Sequence, residues 1–111
     1  MPDPQHALLT PQELADASAE RWRELLRVPA LSVGVYTLEA GAEDTQSPHR
    51  EDEIYVVLEG RALLRVGGPD DGEDLVAEPG AVLYVAAHAD HRFHAIEERL
   101  RLLVVFAPAE T

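Results

Sequence analysis

This 111-residue chain has no cysteine and no lysine, so all nine of its Lys/Arg cations are arginine. Without cysteine there are no disulfides, thiolate nucleophiles, cysteine-held iron–sulfur clusters or zinc ribbons. Without lysine there is no Schiff-base chemistry and no P-loop lysine. Positive charge is scarce as well, because 21 acidic residues against nine arginines give a formal net charge of −12. A field of that sign repels phosphate backbones and anionic membrane surfaces, which argues against nucleic-acid and membrane partners. No apolar run approaches the roughly 20 residues of a membrane span, and the polar start Met1-Pro2-Asp3-Pro4-Gln5-His6 is unlike a signal peptide. The expectation is a soluble, cytoplasmic, acidic protein.

What is present reads as one globular domain. Hydrophobic residues make up 46% and charged residues 27%, an ordinary globular balance, and the length sits near the commonest domain size. Thr10-Pro11-Gln12-Glu13 supplies an N-cap hydroxyl, a proline at the first helical position and an acid at the third. Leu14, Ser18, Trp22, Leu25 and Leu26 follow at helical spacing up to Pro29, which predicts one helix over 11–27 with Trp22 anchoring it to the body. After Pro29 the period becomes two. Short β-type runs cover 31–38, 54–58, 62–66, 75–77, 82–85, 93–96 and 100–106, punctuated by glycine and proline turns. The fold class is therefore mainly β, a sandwich or small barrel, with one N-terminal helix. Residues 1–30 form a tail and a helix packing on a barrel of residues 31–108. The acidic stretch 69–74 reads as a solvated hairpin loop.

Five histidines in so small a β domain raise the question of metal. His6 lies in the polar tail and drops out. Strand alternation puts residues 91, 93 and 95 on one face and 92, 94 and 96 on the other, so His94 points away from His91 towards the surface. His49, Glu53 and His91 remain. Two imidazoles and a carboxylate suit a first-row divalent cation, as in non-haem iron and catalytic zinc sites. Alternation also places 49, 51 and 53 together, which leaves Glu51 and Glu53 both open as the carboxylate. The alternative is a set of side chains that hydrogen-bond one another without metal.

Two spacings carry a resemblance. Gly41, five residues, Ser47-Pro48-His49, three residues, Glu53, six residues and Gly60 has the layout of the first cupin motif. Gly80, five residues, Ala86-Ala87-His88, two residues and His91 has the layout of the second. The stretches from Glu51 to Gly60 and from Pro79 to Val85 are similar to the family's strands, and the likeness covers residues 31–108. It implies a small single-domain cupin with a jelly-roll β-barrel and selects His49, Glu53 and His91 as the metal set. The departures are Ser47 in place of the usual first histidine, Ala86 for a proline, His88 for a glycine and Ala95 for an asparagine. Gln46 or His88 would supply the missing contact if a loop bends inward, and a serine is a poor ligand for a divalent ion.

The resemblance further implies a divalent ion (iron, manganese, nickel or zinc) and a small-molecule ligand or substrate. Tyr55, Tyr84 and Phe93 are then candidate pocket walls. Two functions follow: a metal-dependent dioxygenase or isomerase, or a metal- or small-molecule-binding module without turnover. The run Leu102-Leu103-Val104-Val105-Phe106 is apolar on both parities, and Ile54, Val56 and Leu58 form a second apolar face. One helix covers only one such patch, so a homodimer is expected.

Overall fold

The computed structural model describes residues 3–111. Helix α1 (Pro11–Ala17) precedes six antiparallel strands: β1 (Trp22–Val28), β2 (Leu31–Leu38), β3 (Asp52–Val66), β4 (Glu73–Ala77), β5 (Val82–Val85) and β6 (His91–Ala107). The sheet runs β1-β2-β6-β3-β4, with β5 paired to β3. The class is mainly β, a jelly-roll barrel with one short helix. Among the described residues, no helix is long and apolar enough to cross a membrane.

The helix starts where its capping signals put it. The Thr10 hydroxyl accepts from the Glu13 amide, and the Glu13 carboxylate accepts from the Thr10 amide. It ends ten residues earlier than the apolar spacing predicts, at Ala17 rather than residue 27. The Ser18 hydroxyl donates back to the Leu14 carbonyl, and 3₁₀-type bonds at Ala19 and Glu20 close the last turn. Residues 22–28 are instead an edge strand. Val28 pairs with Leu31 across the two-residue loop Pro29-Ala30, so Trp22 belongs to the sheet, opposite Tyr36. The helix-like spacing of Trp22, Leu25 and Leu26 also fits this strand because a register shift between Glu24 and Leu26 leaves Trp22, Leu25, Leu26 and Val28 all half-buried.

Four of the short expected runs merge into two long strands. β3 joins 54–58 to 62–66, and β6 joins 93–96 to 100–106. The first half of β3 pairs with the second half of β6 and with β5; its second half pairs with the first half of β6 and with β4. Both strands therefore pass through both layers of the barrel, and each changes parity on the way. In β3 the buried residues shift from Glu53, Tyr55 and Val57 to Ala62 and Leu64, across register breaks around Gly60. Gly60 has φ +97°, and a Cβ there would stand 2.3 Å from the Arg99 carbonyl oxygen. In β6 Ala95 at φ +51° does the same, so Ile96 is buried and Ala95 exposed. The alternation expected for 91–96 thus holds only as far as His94. His94 is part-exposed, with Nε2 2.8 Å from an Asp74 carboxylate oxygen.

The core runs the length of these two strands, from Tyr55, Val57 and Leu64 to Phe93, Leu100, Leu102 and Val104. On the outer face α1 packs on β1 and β2, and Arg101 reaches from β6 to the Ser18 hydroxyl at 2.7 Å. Beyond the helix, Ile54, Val82 and Tyr84 are exposed side by side across β3 and β5.

The bend at Gly60 sets an expectation. Gly60→Ala combines left-handed strain with overlap on backbone atoms and lowers unfolding stability by roughly 2–5 kcal/mol. Gly80→Ala shares the positive φ (+89°) but has open space around the new Cβ, and costs roughly 1–2 kcal/mol. Urea unfolding midpoints of the two variants check the difference.

Candidate metal and small-molecule site

His49 sits on the loop before β3, Glu53 near the start of β3 and His91 at the first position of β6. The His88 amide donates to the His49 carbonyl at 2.7 Å, which ties that loop to the turn leading into β6. One ligand atom from each of His49, Glu53 and His91 lies within 4.8 Å of the other two. The side chains of Glu53 and His91 are only 2% and 1% exposed.

The protonation of His91 follows from its partners. Nδ1 lies 2.9 Å from the Ala89 carbonyl, which only accepts, so Nδ1 carries the hydrogen. In the neutral ring Nε2 is then a bare lone pair, 3.0 Å from Glu53 Oε1. The distance is that of an ion pair, yet the ring geometry does not align the two atoms in a hydrogen bond, and each is otherwise without a partner. Two buried acceptors facing each other require a positive charge between or beside them. A proton is one answer. Burial lowers the His91 pKa, but Glu53 and the Ala89 carbonyl more than offset it, and the net shift is upward. A divalent cation is the other, and this donor set suits one.

Asp44 organises the loop above. Its carboxylate is buried and accepts from the Tyr36 hydroxyl at 2.7 Å, the Gln46 side-chain amide at 2.6 Å and the Phe93 amide at 2.8 Å. Burial and then Asp44 push the Tyr36 pKa up to about 12. Gln46 Oε1 accepts from the Tyr55 hydroxyl at 3.1 Å and stands 3.4 Å from His49 Nε2. Tyr55 is held far above its ordinary pKa, first by burial and then by Glu53, so it is a neutral donor.

A cavity of about 190 Å³ opens over this group. Gln46, His49 and Glu53 line it, together with Trp22, Tyr36, Val104, Phe106 and Glu110. Trp22 packs edge-on to both Tyr36 and Phe106, at 6.4 and 6.0 Å between ring centroids. Trp22 also fits against Gly34, where a Cβ would come within 2.4 Å of the indole. Glu110 Oε2 lies 3.3 Å from His49 Nδ1. The tail bearing it is fastened by the Glu110 amide to the Ser32 hydroxyl, by Arg27 to the Glu110 carbonyl, and by Thr111 to Glu51.

Several expected positions fall elsewhere. Tyr84 is 58% exposed on the outer face, because Leu83 and Val85 take the inward parity of β5. Tyr55 and Phe93 do not line the cavity; their rings pack edge-on at 4.9 Å in the core beneath it. Ser47 is exposed. His88 is also exposed, at φ +67°, and its contribution is a backbone amide rather than an imidazole. Glu51 is buried, but its carboxylate accepts from Thr111. Gln46 does reach the site. Glu110, Trp22 and Asp44 were not anticipated: Trp22 was assigned to a helix, and an acid in a loop or a terminal Pro-Ala-Glu-Thr has no periodicity to mark it.

The bent antiparallel barrel agrees with comparisons to known proteins. A family model for the cupin domain matches residues 34–106, and the chain belongs to the cupin family. An uncharacterized protein of Streptomyces coelicolor is 47% identical over 88 residues, covering 79% of this chain and 80% of its own. An RmlC-like cupin of Shewanella frigidimarina shares 26% identity over 79% of this chain and 75% of its own, with a TM-score of 0.67. The iron(II) form of HppE superposes with a TM-score of 0.66 at 24% identity, over 77% of this chain; the match spans only 48% of HppE. That last likeness concerns the fold alone.

The raised pKa of His91 has a sign that can be tested. In chelator-treated protein its contribution to stability is complete below the unfolded histidine pKa of about 6.5. It is lost as pH rises through the higher folded value. Thermal melts of wild type and Glu53→Gln across pH 6–9 should show that decline in the wild type and a flatter profile in the variant. Parallel profiles would remove the Glu53–His91 pair as its source.

Proposed function

We propose that this cupin binds a divalent metal through His49, Glu53 and His91 and places a small molecule in the cavity above it. The observation that carries the reading is the pair of buried, unpartnered acceptors, Glu53 Oε1 and His91 Nε2, with His49 beside them. A metal bound there would supply a Lewis acid with open positions. The protein's own groups then divide the work. Glu110 holds His49 through Nδ1, Ala89 fixes the tautomer of His91, and Gln46, anchored by Asp44, fixes the approach to His49. The aromatic wall of Trp22 and Phe106 keeps water from the ligand's apolar part.

The reaction class favoured is a metal-dependent oxygenation or isomerisation of a small molecule. A second reading, a binding module without turnover, draws support from the hydrogen-bonding of Tyr36, Gln46 and Tyr55, which are committed to Asp44 or to one another. Oxygen consumption by iron-loaded protein across a substrate screen separates the two.

Calorimetric titration of chelator-treated protein with Mn(II), Ni(II), Zn(II) and, anaerobically, Fe(II) tests the metal. About one ion per chain is expected, with His49→Ala and His91→Ala each losing at least tenfold in affinity. The rise in melting temperature on adding metal should be larger at pH 8 than at pH 5.5, since protons compete for the imidazoles. Equal responses at the two pH values would refute the ligand set.

The outer face supports a homodimer. Ile54, Val82 and Tyr84 are 38%, 64% and 58% exposed, and Val56, Leu103 and Val105 adjoin them in register, beyond the reach of α1. Light scattering should give twice the chain mass, with Val82→Asp shifted towards monomer. A monomeric wild type would leave this face without a partner.

A further inference from the structure

The cavity above the His/Glu/His group has an uneven chemistry. Its walls are the rings of Trp22, Tyr36 and Phe106 with Val104, and its carboxylates are Glu53 and Glu110. No arginine is among the residues that line it. Arg27 is engaged by the Glu24 carboxylate and the Glu110 carbonyl. Arg21 stands 6.0 Å from the centre of the Tyr36 ring without lining the cavity. Donors are also short, since the Tyr36 hydroxyl and the Gln46 amide are both given to Asp44.

We propose that this cavity selects a small organic cation, an amine or ammonium compound with an apolar body about the size of one ring. The inference rests on the cavity being a small-molecule site and concerns the metal-free protein. An anionic ligand meets two carboxylates and no guanidinium there. A neutral ligand gains only apolar contact. An ammonium group gains Glu110 at the rim, where that side chain is 24% exposed against 2% for Glu53. It also lies among the rings of Trp22, Tyr36 and Phe106, and aromatic rings attract cations. The volume sets the size: a cavity of about 150 Å³ accepts benzene, and this one is about 190 Å³. Trp22 and Glu110 both lie outside residues 34–106, so the selecting groups are additions to the shared cupin domain.

The chain's single tryptophan lines the cavity, so its fluorescence reports occupancy directly. Benzylamine, benzyl alcohol and benzoate share a ring and differ in charge, and each is titrated into chelator-treated protein at neutral pH. Benzylamine should bind about tenfold more tightly than benzyl alcohol, and benzoate more weakly than either. Glu110→Gln should bring benzylamine to within about threefold of the alcohol, with far-UV circular dichroism and a cooperative thermal melt showing that the variant is folded. Benzoate binding as well as benzylamine, a preference unaltered in Glu110→Gln, or no response to any of the three at millimolar concentration would each overturn the proposal. Because no metal is present, these outcomes are independent of the metal titration.

Discussion

A carboxylate oxygen and an imidazole lone pair face each other in the interior, and this requirement for positive charge governs the site. Removing an ionised carboxylate from water costs several kcal/mol even after relaxation, and Glu53 has little protein hydrogen bonding to offset it. His91 cannot answer with its other nitrogen, which is held by the Ala89 carbonyl. A proton completes the site, and the proposed metal would compete with it. Such competition would couple pH, stability and metal occupancy through the same two atoms. The surrounding network keeps the pair from relaxing apart: Glu53 is fixed in register between Phe106 and Val85, and His91 opposite Val66.

The backbone supplies that register by bending. A barrel this small must have strands that serve both layers, and β3 and β6 do so only because each reverses its inward parity midway. Gly60 permits the reversal in β3 because any side chain there would collide with the β6 backbone. Ala95 accomplishes it in β6 at some conformational cost. Without the two reversals, a strand that directs Glu53 and Tyr55 inward would turn Leu64 out, and one that directs His91 inward would expose Leu102. The inward His/Glu/His group and the hydrophobic core are thus satisfied by the same two irregularities.

Sequence reading captured the parts of the site that depend on spacing within regular strands. The motif intervals single out His49, Glu53 and His91, which the fold brings together, and residues 53, 55 and 57 share the inward face. It failed where side-chain periodicity is ambiguous or absent. Leu14, Ser18, Trp22 and Leu25 fit a helix by spacing, but Ser18 competes for the Leu14 carbonyl and Trp22 finds Tyr36 and Phe106 in the sheet. Tyr84, a candidate pocket wall, lies outward because Leu83 and Val85 claim the inner face. Asp44 and Glu110 were invisible because a buried acid in a loop is defined by its donors, and those come from residues as distant as Phe93 and Ser32.

The two segments outside the shared cupin domain give the cavity its character. β1 adds a strand to the sheet edge, and Trp22 takes up the space that Gly34 leaves bare. The tail folds back beside the β1–β2 turn, where the Ala109 amide donates to the Pro29 carbonyl, Arg27 of β1 donates to the Glu110 carbonyl and the Glu110 amide donates to the Ser32 hydroxyl. The strand and the tail therefore brace each other. Each would be weak alone, since β1 is an edge strand with half-buried side chains and the tail has no periodic pattern of its own. Together they convert an open barrel mouth into a bounded cavity with an aromatic wall and an acidic rim. Glu110 belongs both to that rim and to the support of His49, so the acidic edge of the cavity and the orientation of that imidazole depend on one carboxylate.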